Sequence, residues 1–117
     1  MANHSGIKNS IVLVPFPFDD FTATKVRPAV CLTESIGKFE QIIIAFISSK
    51  IPTEILNSDI IIRKNTIDWQ ETGLSVDSII RIHKITTIPK SMIRRKLGRI
   101  NSNTENLIQE KIKQLFF

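Results

Sequence analysis

Residues 14–30, VPFPFDDFTATKVRPAV, join two apolar segments through a polar loop and contain an arginine directly before a proline. The flanking segments, SIVLVPF (10–16) and PAVCLTES (28–35), are short and bounded by proline or polar residues, which is typical of strands. Pro28 fixes its own backbone and disfavours helical geometry at Arg27. This stretch therefore predicts a strand, a loop and a second strand, with Arg27 leaving the loop in a defined direction.

The remainder of the chain continues the β pattern. EQIIIAFIS (40–48) is almost continuously apolar, which predicts a central strand buried on both faces, or one that faces a partner chain. Further strands are predicted in SDIIIRK (58–64), SIIRIHKITTI (78–88) and RRKLGRI (94–100). In the second of these segments, alternation directs Arg81 and His83 away from Ile80 and Ile82.

The last segment, NSNTENLIQEKIKQLFF (101–117), predicts an amphipathic helix packed on the sheet. Ser102 and Glu105 have the spacing of a capping box, and apolar residues recur at helical spacing, namely Leu107, Ile108, Ile112, Leu115 and Phe116. A chain of 117 residues that is 42% hydrophobic suits a single domain over residues 1–117. The predicted fold class is mainly β with short helices, built as a small, strongly bent sheet or open barrel.

Several classes of protein are disfavoured by composition. The single cysteine, Cys31, lies in an apolar stretch and is expected to be a buried, unreactive thiol. The polar start MANHSGIKNS, and apolar runs no longer than residues 42–47, favour a soluble cytoplasmic protein without a membrane segment. No histidine, cysteine or carboxylate cluster has the spacing of metal ligands, so no metal and no cofactor are expected, and Asp19 and Asp20 suggest a turn.

Positive charge is concentrated in one part of the chain. The 16 basic and 11 acidic residues give a formal charge of +5. Residues 78–104 contain no aspartate or glutamate but carry Arg81, Lys84, Lys90, Arg94, Arg95, Lys96 and Arg99. Such asymmetry fits a nucleic acid or an acidic peptide partner, and it fits a solvated cationic face equally well.

Four ordered motifs resemble the MazF/PemK-like family of type II toxin–antitoxin toxins: LVPFPF, KVRPAVCL, IAFISS and TGLSVDSIIRIHKITTIPKSMIRRKLGRI, followed by the helix. The resemblance extends from about Asn9 to the C-terminus. It implies an SH3-like open barrel of the CcdB/PemK type, assembled as a homodimer. It also implies a ribosome-independent, metal-independent endoribonuclease that cuts single-stranded RNA at short sequences. A cognate antitoxin with an acidic, disordered tail is expected to neutralise it by covering the basic groove.

The resemblance assigns two catalytic positions. The arginine of the family's Arg-Pro motif falls on Arg27. The family's catalytic hydroxyl, usually a threonine that closes the central strand, falls on Ser48, with Ser49 as the alternative. Since successive strand residues face opposite sides, only one of the two serines can point into the site unless a bulge intervenes.

Candidate RNA contacts surround these two positions. By similarity, the loop over residues 19–26 lies over the RNA groove, where Phe18 or Phe21 is available to stack on a base, although core filling explains each phenylalanine equally well. The full set of RNA-binding candidates is Phe18, Phe21, Thr22, Lys25, Arg81 and Lys84. His83 is expected to be structural or to contact RNA rather than to act as the base.

A different surface is expected to meet the antitoxin. By resemblance, TGLSVDS (72–78) and the preceding IDWQE (67–71) lie near it. Gly73 is expected to supply a backbone conformation that other residues resist, and Leu74 to anchor the turn to the core. Trp69 fits the core and an interface equally well.

Two rival functions use the same fold. A gyrase-poisoning toxin of the CcdB kind depends on a C-terminal Trp-Gly-Ile, whereas this chain ends in QLFF. A non-catalytic SH3-like module that binds RNA or protein, such as an inactive toxin relic, is favoured by the serine at position 48. Cleavage of naked RNA distinguishes such a module from an enzyme.

Overall fold

A single antiparallel sheet and one helix make up the fold in this computed structural model, which describes residues 6–15 and 25–117. The described strands are β1 (Ser10–Pro15), β2 (Val26–Cys31), β3 (Gln41–Ser48), β4 (Asp59–Ile62), β5 (Ser78–Pro89) and β6 (Arg95–Arg99). The helix α1 spans Ser102–Phe116, and 3-10 turns cover Ile67–Trp69 and Lys90–Met92. Every predicted strand and the predicted helix are present, whereas neither 3-10 turn was predicted.

The strands are ordered β4-β5-β3-β2-β1-β6 in the sheet. The long strand β5 joins two parts of it, because it pairs with both β4 and β3. Between the pairs Ile47–Ile80 and Ala45–Ile85, β5 advances five residues while β3 advances two, so β5 bulges and bends there. This bend curls the sheet into the open barrel that the sequence predicted.

Two apolar clusters lie on opposite faces of the sheet, because neighbouring residues of one strand alternate between them. The first cluster, which lies under α1, includes Ile11, Val30, Ala45, Ile47, Ile80, Ile82 and Ile108. The second cluster comprises Val12, Val14, Ala29, Cys31, Ile42, Ile44 and Ile88. Strand β3 contributes fully buried residues to both clusters, which confirms the predicted central strand.

The sequence misplaced the start of β2. That strand begins at Val26 rather than at Pro28, since residues 26–28 already pair with β1. Arg27 is therefore the second residue of β2 and not a residue at the junction between loop and strand. The β1–β2 pairing continues through the proline, with Pro28 opposite Leu13.

Asn101, and not Ser102, caps α1. The Asn101 side-chain oxygen accepts a hydrogen bond from the Thr104 amide at 2.9 Å, and its Nδ2 donates to Asp68 at 2.9 Å. The capping box predicted for Ser102 and Glu105 was therefore wrong by one residue, because the asparagine amide can cap the helix and bind Asp68 at once. Within the described chain, no helix has the length and apolar character needed to cross a membrane.

The helix packs on the sheet through its first three turns. Ile108 is buried, and Leu107 and Ile112 pack against the first cluster. Leu115 and Phe116 are exposed, so the predicted apolar face continues past the region that contacts the sheet.

The corrected cap gives a direct stability test. We expect Asn101→Ala to lower the free energy of unfolding by about 1 kcal/mol, because the Thr104 amide loses its acceptor. Asn101→Ser retains a capping oxygen and is expected to recover most of the loss. Ser102→Ala is expected to change it by less than roughly 0.5 kcal/mol. Urea unfolding of the three variants measures these values, and a larger loss in Ser102→Ala than in Asn101→Ala would contradict the assignment.

Candidate active site

The register of β2 against β3 brings Arg27 and Ser48 together. The pairs of these two strands end at Ala29 opposite Phe46, and two residues further the same register matches Arg27 with Ser48. Residues that share a register in this way point to the same face of the sheet. Both side chains are half-buried. The register thus places a guanidinium and a hydroxyl on the same face of the sheet.

The second cluster forms the floor of this site. Arg27 is opposite Val14, which belongs to that cluster. Ser48 is two residues after Phe46 and therefore shares its face, and Phe46 packs against the same cluster. Arg27 and Ser48 therefore lie at the border of an apolar surface, where charge–charge interactions are screened less than in open solvent.

Pro28 limits the pairing of β2 with β3 beside the site. Proline has no amide hydrogen to donate to a neighbouring strand. The β2–β3 pairs begin at Ala29, one residue after it. Arg27 and Ser48 thus share the register of the two strands but lie beyond their last pair, where backbone bonding no longer fixes the strands together.

Ser48 has a defined hydroxyl geometry, and Ser49 does not share its position. The Ser48 Oγ accepts a hydrogen bond from the Lys50 amide at 3.0 Å. A hydroxyl has one hydrogen and two lone pairs, so this bond leaves the hydrogen for donation to another acceptor. Ser48 is the last residue of β3, where it lies opposite Ile79 of β5, whereas Ser49 follows the strand and is exposed.

Arg81 forms an ion pair on the far side of β5. Its Nε donates to the Asp59 Oδ1 at 2.9 Å, and its Nη2 donates to Oδ2 at 3.4 Å. The Asp59 side chain is fully buried. Burial by itself would raise the pKa of Asp59, but the Leu56 amide and Arg81 outweigh it and hold the pKa below its ordinary value. The guanidinium proposed from the sequence to contact RNA is therefore engaged by a structural partner.

The other candidates on β5 lie at its bulge. The His83 Nδ1 and the Ser58 Oγ are 2.7 Å apart, which links β5 to the residue before β4. Lys84 is exposed in the bulged segment, opposite the part of β3 that contains Phe46. Lys25 is exposed immediately before β2. Two surface grooves of about 520 and 470 Å³ lie along α1. Ser58 lines the first, and neither is lined by His83, Lys84 or Lys25.

Three of the sequence candidates fall outside the described residues. Phe18, Phe21 and Thr22 belong to the segment between β1 and β2 for which the structure gives no placement. Their assignment to RNA binding stays a prediction.

The turn predicted to meet an antitoxin is built against β6. Gly73 has φ +75°, and a side chain there would collide with the Leu97 carbonyl, which confirms the conformational role predicted for this glycine. Leu74 is buried in the first cluster, as expected, and Trp69 packs against it. The neighbouring Ile67 is 78% exposed. Trp69 therefore supports the core, while Ile67 supplies exposed apolar surface beside it.

Cys31 is the buried thiol that the sequence predicted. Burial first, and then the charge of Glu34, raise the pKa of Cys31 to about 11, while Lys96 acts in the opposite direction. At neutral pH the thiol is therefore protonated and a poor nucleophile. Among residues 6–15 and 25–117, no three histidine, cysteine or acidic side chains are grouped as a metal site.

Sequence reasoning missed the residues that hold the site in place. The Lys50 amide and the end of the β2–β3 pairs at Pro28 depend on backbone geometry, which residue types alone do not reveal. The engagement of Arg81 was also missed. Its only signal was the alternation that places Arg81 and Asp59 on facing strands.

The Arg81–Asp59 pair predicts a pH-dependent contribution to stability. Because the pKa of Asp59 is lowered in the folded state, its contribution is present above about pH 4 and is lost as pH falls through the folded pKa. We expect Arg81→Gln to lower the free energy of unfolding by about 2 kcal/mol at pH 7, since Asp59 would be left buried without its cation.

The matched control is Arg63→Gln. Arg63 pairs with Asp77 at 3.2 Å, but both side chains are about half exposed, so a change within roughly 0.5 kcal/mol is expected. Urea unfolding between pH 3 and 7 measures both variants. Equal losses in the two variants would contradict a special role for the buried pair.

Comparison with known proteins identifies relatives of the whole chain. The family model of PemK-like, MazF-like toxins of type II toxin–antitoxin systems matches residues 8–116. Among curated proteins, no sequence matches the chain significantly.

Solved structures share the fold at low sequence identity. The Mycobacterium tuberculosis toxin MazF-mt6 superposes with a TM-score of 0.69 and 20% identity, covering 92% of this chain and 95% of that chain. A mycobacterial endoribonuclease in complex with its cognate antitoxin gives a TM-score of 0.67 and 11% identity, covering 94% and 93%. Another mycobacterial endoribonuclease gives 0.64 and 11%, covering 92% and 88%. At these identities the likeness establishes a common fold.

Proposed function

The chain belongs to the PemK-like, MazF-like toxins of type II toxin–antitoxin systems, and from this membership we propose that it is an endoribonuclease that cuts single-stranded RNA. The proposed enzyme is a single toxin domain over residues 1–117 that works in the cytoplasm. It recognises short sequences, and it needs neither a metal ion nor the ribosome. Two solved structures that share its fold are endoribonucleases.

The register that matches Arg27 with Ser48 is the observation that carries the proposal. A phosphate group above the two strands would accept hydrogen bonds from the guanidinium and from the Ser48 hydroxyl. Arginine suits this task because its planar fork matches two phosphate oxygens. Because the Ser48 Oγ accepts a hydrogen bond from the Lys50 amide, its own hydrogen remains for donation to the phosphate.

The chemistry uses the substrate's own nucleophile. The ribose 2′-oxygen loses its proton and attacks the adjacent phosphorus, the bond from phosphorus to the 5′-oxygen breaks, and the 5′-oxygen takes up a proton. The products carry a 2′,3′-cyclic phosphate and a 5′-hydroxyl. Negative charge on the non-bridging oxygens grows in the transition state, so Arg27 and Ser48 stabilise it more than the ground state.

Ser48 is the better candidate for the hydroxyl than Ser49. Ser48 ends β3 on the face of Arg27, whereas Ser49 is exposed beyond the strand. Arg27 acts electrostatically and not as a base, because arginine stays protonated in proteins. His83 is assigned a structural role, since its Nδ1 is linked to Ser58.

The proposed partners are a second copy of the chain and an antitoxin. One structure that shares the fold holds an endoribonuclease with its cognate antitoxin. For this chain we propose an acidic, partly disordered antitoxin segment, because residues 78–104 contain seven basic and no acidic residues. Exposed apolar residues at the end of α1, Leu115 and Phe116, offer surface for a homodimer.

A binding module without catalysis is the second candidate. It is favoured by the serine at position 48, where the family usually has threonine, since serine lacks the methyl group that restricts the rotamer.

Cleavage of purified RNA tests the proposal. Wild-type protein is incubated with a long unstructured RNA in EDTA, and cut positions and end groups are mapped. We expect discrete cuts with cyclic phosphate ends. Arg27→Ala is expected to lose roughly 100-fold in rate, and Ser48→Ala roughly 10- to 100-fold, as for the removal of transition-state donors.

Two further variants make the result specific. Arg27→Lys keeps the charge but loses the fork, so an intermediate rate is expected. Ser49→Ala is the control for Ser48→Ala and is expected to cut within about 3-fold of wild type, since Ser49 lies off the site. An intact, folded wild type that leaves RNA uncut would favour the binding module instead.

A further inference from the structure

The edge strand β6 concentrates positive charge next to the proposed site. This strand forms one edge of the sheet and is adjacent to β1. Arg94, Arg95 and Lys96 are consecutive and exposed at its start. Basic residues on an edge strand can serve only to prevent pairing between the edges of two sheets. A further role depends on which face of the sheet each side chain occupies.

The register separates Lys96 from Arg95. Lys96 is opposite Val12, and Arg95 is opposite Leu13. Val12 belongs to the second cluster, which is the floor of the Arg27–Ser48 site. Paired residues share a face and neighbours alternate, so Lys96 lies on the face of the site and Arg95 on the opposite face.

The electrostatics of Cys31 agree with this placement. Cys31 is buried in the second cluster, and the charge of Lys96 acts on its pKa against the effect of burial. This effect is consistent with the face that the register gives Lys96. Glu34, the acidic residue that also acts on Cys31, accepts hydrogen bonds from the amides of Ile7 and Lys8.

On the β4 side of the sheet, Arg81 is neutralised by the fully buried Asp59 at 2.9 Å, whereas Lys84 of β5 is exposed. On the β6 side, Lys96 is exposed on the face of the site. An anionic chain that passes the site is attracted across β1 to the β6 edge.

The spacing favours separate phosphates. Lys96 and Arg27 are separated by two strand spacings and by two residues along the strands, which gives about 12 Å between their Cα atoms. Both side chains would have to extend fully toward each other to hold one phosphate. Lys96 is instead placed for a phosphate further along the same RNA strand.

We propose that Lys96 is a positioning residue that binds a backbone phosphate beside the scissile one, so that the RNA runs from Arg27 and Ser48 across β1 to the β6 edge. The inference rests on the proposed function, because it names how the same site holds its substrate. It also makes a statement about the substrate, namely that RNA must extend past the cut on the side that reaches β6.

Lys96→Gln and Arg95→Gln form a matched pair of variants. Both remove one exposed charge from β6, and only Lys96 is on the face of the site. Binding is measured as a function of salt with a 2′-O-methyl RNA, which keeps the phosphates and lacks the nucleophile. We expect Lys96→Gln to weaken binding about 3- to 10-fold and to reduce the slope of log affinity against log salt by about 0.7. Arg95→Gln is expected to leave the slope at the wild-type value. Matching urea midpoints establish that both variants fold.

The outcomes separate the two proposals. Equal effects of the two variants, or no effect of Lys96→Gln, would overturn the role of Lys96 even if the wild type cuts RNA. A wild type that binds the RNA with the expected difference between variants but does not cut would refute the nuclease and leave the RNA path standing. A wild type that binds no RNA would refute both.

With a cleavable RNA, the kinetic parameters give an independent readout. Lys96→Gln is expected to raise KM with little change in kcat, because its contact is the same in the ground and transition states. The effect is expected to disappear on RNAs shortened on one side of the cut. A fall in kcat alone would contradict a positioning role.

Discussion

The site depends on the register of the central strand β3. Its side chains are buried on both faces, with Ile44 in the second cluster and Ala45 and Ile47 in the first. A slip by one residue would move each of these side chains to the opposite face. The same slip would carry Ser48 away from the face of Arg27. Core packing on two sides of β3 therefore fixes the face of Ser48 at its end relative to Arg27 of β2.

Two local departures from a regular sheet give this register its functional form. The β2–β3 pairs end at Ala29, next to Pro28 and before the positions of Arg27 and Ser48. The bulge of β5 curls the sheet around β3. Two cations of the acid-free stretch, residues 78–104, differ in their surroundings. Asp59 of β4 neutralises Arg81, whereas Lys96 is exposed on the face of the site. The fold thus places Arg81 in a structural ion pair and leaves Lys96 exposed.

Most of the fold was predictable from the sequence, because it follows from hydrophobic patterns. The run of isoleucines at 42–44 predicted the central strand, and the alternation at Ile80 and Ile82 predicted which side of β5 is buried. The cap of α1 was misplaced, since asparagine and serine are adjacent and both are good caps. Only the position of Asp68 favours Asn101.

The resemblance to the family assigned Arg27 and Ser48, and their catalytic roles stay predictions. Their positions relative to each other could not be predicted from the sequence. Their shared register depends on how two segments that are distant in the sequence become neighbouring strands, and no local sequence pattern predicts that register. The engagement of Arg81 by Asp59 and the separate faces of Arg95 and Lys96 are likewise products of register.

A double-mutant cycle on Arg27 and Ser48 tests the central claim most directly, because the claim is that both side chains act on one phosphate. Single-turnover cleavage rates are measured for the wild type, Arg27→Ala, Ser48→Ala and the double variant. The account predicts that the double variant is faster than the product of the two single losses implies, with a coupling energy of about 1 kcal/mol or more. Losses that multiply without coupling would show that the two residues act independently and would contradict a shared site.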